Sequence, residues 1–449
     1  MTTDTTEPQA GAEKPTSWRY YLQQKVIVIF GLGFSSGLPF PLVYSTLSAW
    51  LEDAGIERST ISTFAWLGFA YSLKFCWAPL IDSLRLPVLG KLLGHRRSWL
   101  LLAQIAIALS LVVMSSTNPT EDIAVFAIVA LAVAFLSATQ DIIIDAYRIE
   151  SAPDDMQGVL AAAYQYGYRI SLLISMAGAL YLADYASWEL TYRVMAGAML
   201  LGIITTLLCP EPAVLRTLTY EGENFVDKLD SWFRHAIVEP FEDFSRRFGP
   251  YLFVILAFVS LYRISDYVLG ILANPFYLAI GFSKSEVATV AKVYGLWVTL
   301  FGVGLGGWAV VRYGVARCLI IATVLIASTN LFFAAMSQVG AELWMLALTI
   351  SADNIAQGFG GTVLIAYLSS LTNRDFTATQ YALLSSFMAL LPKFTAGYSG
   401  DVQESLGWFG FFLYAAALGV PAIILATFVA RRHDALVGEK PTASAVNPE

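Results

Sequence analysis

Runs of about twenty or more apolar residues, separated by short polar stretches, recur from residue 26 to residue 430. At 1.5 Å of rise per residue, a helix of that length crosses a hydrocarbon core about 30 Å thick. Cap and turn residues mark the breaks. Ser283-Lys-Ser-Glu286 is a capping box, Ser59 opens the second run, and Pro153-Asp154-Asp155 precedes the fifth. The pattern predicts an all-α polytopic membrane protein with twelve transmembrane helices. Six lie at about 26–50, 59–83, 98–117, 122–147, 157–182 and 190–210, and six at about 251–279, 285–311, 314–337, 342–371, 379–402 and 408–430. The expected organisation is a tail (1–25), a six-helix bundle (26–210), a polar link (211–250), a second six-helix bundle (251–430) and a closing tail (431–449).

The two halves echo one another. Gly55-Ile-Glu-Arg58-Ser59-Thr-Ile61-Ser-Thr63 returns as Gly281-Phe-Ser-Lys284-Ser285-Glu-Val287-Ala-Thr289, 226 residues later. Ala146-Tyr147 with Asp155 returns as Ala366-Tyr367 with Asp375, 220 residues later. A unit of that length is too long for a solenoid or propeller repeat. In an apolar chain it points to a transporter with two symmetry-related halves and a substrate site near the midplane between them.

Composition supports a membrane setting. The chain is 57% hydrophobic and 14% charged, against about 25% charged residues in a soluble domain. Of 27 Lys and Arg, nineteen fall on the side of both termini, three on the other side and five inside spans. That asymmetry predicts cytoplasmic termini. Cys76, Cys209 and Cys318 lie in apolar runs without paired spacing and read as packing residues. The polar first 17 residues do not resemble a removable signal. No GxxxxGK[ST] loop occurs, which disfavours an ATP-driven pump and leaves an ion gradient as the energy source. His95, His235 and His433 all fall outside the bilayer interior, so no nucleophile–base pair or metal cluster suggests an enzyme. In the link, Phe225, Leu229, Trp232, Phe233 and Ile237, then Phe241, Phe244 and Phe248 beyond Pro240, fit an amphipathic helix. It either lies in the inner headgroup region or docks on the protein's own face.

Charges inside spans are the candidate functional residues, because each costs roughly 2.5–3.5 kcal/mol at a helix centre unless it is paired or wet. Arg169 sits midway along the fifth span, with Gln165 one turn earlier and Tyr164 and Tyr168 beside it. Lys393 lies at matching depth in the eleventh span. Together they suggest a seat for anionic groups, with structural pairing to Asp141 or Asp353 as the competing reading. Asp353 and Gln357 share a helix face, next to Asn354. Arg263 and Asp266 are spaced to pair within the seventh span, and Lys292 would either meet anions at the outer mouth or snorkel. Asp141, flanked by Gln140, and Asp145 lie near the inner end of the fourth span. Asp141, Asp353 and Asp266 are the candidate proton carriers. Asp82, Arg85, Arg97, Asp145 and Arg148, with Lys74 and Arg96 nearby, suggest a latch between helices. Gly37, Pro39 and Pro41 in the first span and Asn274-Pro275 in the seventh mark either hinges or static kinks.

Three segments carry a family resemblance: Gly33-Phe-Ser-Ser-Gly37-Leu-Pro39, Ser137-Ala-Thr-Gln140-Asp141-Ile-Ile-Ile-Asp145-Ala146 and Ala378-Thr-Gln380-Tyr-Ala-Leu-Leu-Ser385. They resemble the AmpG muropeptide permeases, a branch of the major facilitator superfamily, and the likeness runs from about residue 20 to 432. It implies two six-helix bundles around a central cavity in a bacterial inner membrane. It also implies import of anhydro-muropeptides from periplasm to cytoplasm with protons, without a cofactor, a metal or nucleic acid, by a monomer surrounded by lipid. Some members carry two further C-terminal spans, and the loop after the second span matches the superfamily's glycine–aspartate–arginine signature only loosely. The cargo would be a net anionic sugar–peptide: tyrosine faces suit sugar rings, amides suit hydroxyls, and Arg169 and Lys393 suit carboxylates. Two alternatives stay open, a carrier of another anion such as acetyl-CoA and a transporter-fold sensor that moves nothing.

Overall fold

The computed structural model describes residues 23–213, 230–231 and 233–438, and among these every regular element is helical. Twelve helical passes follow in order. In the first half they are α1 (Gln24–Asp53), α2 (58–83), α3 (His95–Ser115), α4 (Ile123–Glu150), α5 (157–185) and α6 (Trp188–Leu208). In the second half they are α7 (Tyr251–Ala279), α8 (Ser285–Tyr313), α9 (Val315–Val339), α10 (Leu343–Leu371), α11 (Thr377–Ala396) and α12 (Ser399–Gly438). Eight of them (α1, α3, α4, α6, α7, α8, α9 and α12) are by themselves long and apolar enough to cross a membrane. Leu343–Leu371 and Arg374–Ala396 qualify together across a 99° bend.

The interruptions have local causes. α2 is five short pieces around Gly68, Ser72, Lys74 and Pro79, so its polar residues leave a continuous helix for the interior. α5 carries a π-turn at Ile174–Gly178 and α8 one at Ala288–Tyr294, a device that re-aims side chains within a span. α12 begins at Ser399, earlier than the apolar pattern predicts, and kinks at Gly407 (φ 65°).

The duplication is visible in the backbone. Gly55 and Gly281 have φ of 76° and 109°, and Gly94 and Gly314, 220 residues apart, have φ of 91° and 81°. Each pair ends or opens equivalent passes with a conformation that suits glycine. The breaks in α1 and α7 also correspond, but not at Asn274-Pro275. α1 leaves helical backbone at Val43–Tyr44, just after Pro41, whereas α7 breaks at Tyr262–Arg263 and runs unbroken through Pro275. An offset of 220 carries Val43 (φ −110°, ψ 3°) onto Arg263 (φ −109°, ψ 13°), so the charged residue holds the place of the break. Gly37 itself is a packing residue: a Cβ there would lie 2.7 Å from the Tyr168 carbonyl oxygen.

Close approach of helices follows the same rule elsewhere. A Cβ at Gly302 would sit 2.6 Å from the Ile355 carbonyl oxygen, and one at Gly167 would overlap that of Phe30. Gly167→Val is therefore expected to destabilise the fold by about 1–3 kcal/mol through overpacking against backbone. Gly197→Ala, in open space, should be neutral or slightly stabilising. Thermal unfolding of the two detergent-purified variants checks this contrast.

Two ends of the molecule differ. The start of α1, the end of α12 and the 83–95, 150–157 and 371–377 loops share one end, the basic end. There the apolar clusters mix halves: Ala378 and Ala382 of α11 join the first-half core, and Ile149 and Ala161 join the second-half core. At the far end each cluster draws on one half alone, residues 34–199 or 261–418. The two cores thus interlock at the basic end and stay separate clusters toward the other.

The link docks on the protein itself. Phe244 and Phe248 of the helix Glu239–Phe248 are buried in the second-half core, while Phe233 and Phe241 stay exposed. Asp243 accepts from Gln380 Nε2 at 2.8 Å, and Arg247 donates to the Leu371 carbonyl at 3.0 Å. Phe225, Leu229 and Trp232 lie outside the described residues.

Candidate functional site

Between the halves, beyond the sealed end, α5, α7 and α10 bring together the charged and aromatic residues of the bilayer interior. Arg169 is half-buried, and its Nε is enclosed without a hydrogen-bond partner among the described residues. Its charged neighbours within Coulombic reach are Arg263 and Asp266 of α7. Arg263 donates Nε and Nη2 to Asp266 Oδ2 at 3.3 and 3.2 Å, the intrahelical pair their spacing predicts. Asp353 is buried, accepts from Gln357 Nε2 at 2.8 Å, and feels both Asp266 and Arg263. Tyr168 of α5 lies near Tyr267 of α7, and the Tyr164 and Tyr168 rings lie 5.9 Å apart. Gln165 reaches the opposite half, where its Nε2 would lie 2.7 Å from a Cβ on Gly361.

Lys393 does not join this group. It donates to Ser72 Oγ at 2.9 Å across the α2–α11 seam and is otherwise exposed. The residue brought near Arg169 is instead Arg263, at the break of α7. Lys292, in the π-turn of α8, is also exposed and away from the cluster. Gln140 is fully buried and spends its amide on α1: Oε1 accepts from Ser35 Oγ at 2.8 Å and Nε2 donates to the Ser35 carbonyl at 2.9 Å. It packs α4 on α1 and leaves nothing for a ligand. Asn354 similarly accepts from Thr299 at 2.6 Å and donates to the Ile350 carbonyl.

Asp141 belongs to a second network, inside the first half. Its Oδ1 accepts from Ser36 Oγ at 2.6 Å, and Ser36 also meets Tyr164 Oη at 2.9 Å. Ser36 lies in the Gly33–Pro39 segment, whose spacing marked the bend but gave no sign of this relay.

The basic end is closed by polar contacts across the halves. Asp82 of α2 accepts from the backbone N–H of Ala378 (3.1 Å) and Thr379 (2.7 Å) and from Thr379 Oγ1 (2.7 Å). A carboxylate thus caps α11 from the other half. The arginine behind it is Arg96, which donates to Asp82 at 2.7 Å and to Glu150 at 2.6 and 3.0 Å. Arg97 instead caps its own half, donating to the Thr206 and Leu207 carbonyls at the end of α6, and Arg85 is exposed. Neither forms the latch the sequence suggested, because successive residues on α3 point to different neighbours. Arg148 is fully buried, donates to Ser369 Oγ of the second half at 2.8 Å, pairs with Asp145 at 3.4 Å and stacks over Tyr381. Asp145 also faces Lys74 Nζ at 3.7 Å. Arg374 donates back to the Ala152 carbonyl at 2.9 Å. Beside the latch, burial pushes the Glu211 carboxyl above its usual range although it accepts from the Arg96 and Arg97 N–H groups.

Comparison with known proteins agrees with this architecture. Residues 26–273 match the Major Facilitator Superfamily. The chain is 36% identical over 413 residues to "Putative transporter AmpG 4" of Rickettsia conorii, covering 92% of this chain and 98% of that protein. It is 33% identical over 413 residues to the "Anhydromuropeptide permease" of Escherichia coli K12, covering 91% and 80%. Among solved structures it superposes on the proton:xylose symporter XylE bound to 6-bromo-6-deoxy-D-glucose with a TM-score of 0.61 at 14% identity, covering 92% and 96%. The human organic anion transporter MFSD10 gives 0.60 at 16% identity, covering 92% and 99%. At such identities these two share the fold alone.

Proposed function

This chain belongs to the major facilitator superfamily and to its AmpG permeases, a transporter rather than an enzyme, and on that footing we propose that it imports anhydro-muropeptides together with protons. The direction is periplasm to cytoplasm across the bacterial inner membrane, with both termini cytoplasmic and residues 26–210 and 251–430 rocking as two bodies. The basic end, latched by Asp82, Arg96, Arg148 and Arg374, is then the cytoplasmic gate, and the described state faces outward.

One observation carries the reading. A charged cluster, Arg169 with Arg263, Asp266 and Asp353, spans two halves whose apolar cores mix at one end only. An anionic sugar–peptide entering from the open side meets cations for its carboxylates, amides at Gln165 and Gln357 for its hydroxyls, and tyrosine faces at 164, 168 and 267 for its rings. Protonation of Asp353 or Asp141 would accompany its entry and keep the interior near neutrality.

The test is uptake of labelled GlcNAc-anhydro-MurNAc-peptide by proteoliposomes under an inward proton gradient. Accumulation above the external concentration, lost when a protonophore collapses the gradient, is the expected result. Equal accumulation with and without the protonophore refutes proton coupling, and no uptake under either condition refutes the substrate.

A further inference from the structure

We propose that Arg169 and Arg263, one from each half, form a single two-sided seat for a ligand carboxylate, which Asp266 occupies in part until the ligand arrives. The proposal rests on the transport of an anionic substrate argued above and deepens it.

Arg263 lies in the break of α7, with φ −109° and ψ 13°. Its guanidinium is therefore aimed by non-helical backbone at the position where the halves face one another. Its pairing with Asp266 is loose. Two of its nitrogens share the single oxygen Oδ2 at 3.2 and 3.3 Å, where a fork pairing uses both carboxylate oxygens at about 2.7–2.9 Å. The arginine is also the more exposed partner, 24% against 6% for the Asp266 side chain. A salt bridge built only for packing has no reason to leave its cation as the accessible member.

Arg169 supplies the complementary observation. Its Nε is buried without a hydrogen-bond partner among the described residues, and the charges in reach there are a like charge, Arg263, and the already engaged Asp266. Two guanidinium groups facing one another across a low-dielectric gap repel, and a carboxylate between them reverses the sign of that interaction. The ring of Tyr267 lies 5.9 Å from the Arg263 guanidinium carbon, and Tyr168 of the other half lies near it. Because the two cations belong to different halves, a bound carboxylate holds the halves together. It thereby favours the approach that an occluded state requires.

A ligand pair that differs only in the relevant charge tests the seat: GlcNAc-anhydro-MurNAc, which carries one lactyl carboxylate, and its primary amide. Binding to the purified full-length protein is measured by calorimetry. The native protein is expected to prefer the acid by about 10- to 100-fold, the range for a hydrogen bond to a charged group. Arg263→Gln and Arg169→Gln should each bring that preference close to unity while changing amide affinity little. Arg263→Lys, which keeps the charge but not the fork, should retain part of it, and also serves if the Gln variants do not fold. Native protein that binds acid and amide equally overturns the seat, as does an Arg263→Gln variant that keeps the preference. Native protein that binds neither overturns the substrate reading itself, and the seat with it.

Discussion

Arg148→Gln should open the basic end, seen as a longer spin–spin distance between probes at Arg85→Cys and Asp375→Cys. Both positions are exposed, on opposite halves, and the native Cys76, Cys209 and Cys318 would first be replaced. Arg148 is wholly enclosed, and its Ser369 bond and Tyr381 stacking exist only while the halves touch there. Hydrogen bonds to a buried charge contribute about 1.5–3 kcal/mol each, so losing the cross-half contact moves the equilibrium about 10- to 100-fold toward the open arrangement. The variant also leaves Asp145 with Lys74 as its remaining cation, at 3.7 Å. Removing one partner of a buried pair costs about 3–5 kcal/mol, so a lower unfolding temperature should accompany the shift. An unchanged distance distribution in a folded variant would show that Asp82 on the α11 N-terminus suffices to close the gate.

Asp353→Asn is expected to abolish concentrative uptake while exchange of labelled for unlabelled substrate across the membrane survives. Asp353 lies within reach of Arg263 and Asp266, so its charge is set against the cations proposed to hold the substrate. A carboxylate that must be neutral when the substrate is present links one proton to each loading event. The amide mimics the neutral form permanently, so substrate still enters and leaves but no longer needs a proton. Proteoliposomes read both quantities. An accumulation ratio near one with exchange retained assigns the proton to Asp353. Full gradient-driven accumulation in Asp353→Asn would remove it from the coupling path. The same pair of assays on Asp141→Asn then decides whether the Ser36–Asp141–Tyr164 relay carries the proton instead.

Much of the architecture is legible in the sequence. Gly55 and Gly281 repeat in the sequence because equivalent turns demand the same positive φ, and the backbone shows those turns. Arg263 and Asp266 pair as residues three apart on a helix must. Asp353 and Gln357 meet across one turn for the same reason. Capping also transferred: the Ser283 N–H donates to the Glu286 carboxylate and the Glu286 N–H to Ser283 Oγ, the two bonds of the box they spell. These are contacts within a few residues, where chain geometry alone fixes who can touch.

Contacts between distant segments were not readable in this way. Gln140 carries every mark of a ligand-binding amide in a polar stretch, yet Ser35 consumes it. Arg96 and Arg97 are indistinguishable by type, and only the 100° turn between them sends one to Asp82 and the other to the end of α6. The sequence by itself determined that this is a duplicated, membrane-spanning, all-helical chain with cations placed where lipid would punish them. That follows because hydropathy and helical period are sums over neighbouring residues. Only the tertiary structure decided that Arg169 faces Arg263 rather than sharing a site with Lys393. A break in α7 and a seam between α2 and α11 redirect side chains over distances that no local pattern encodes.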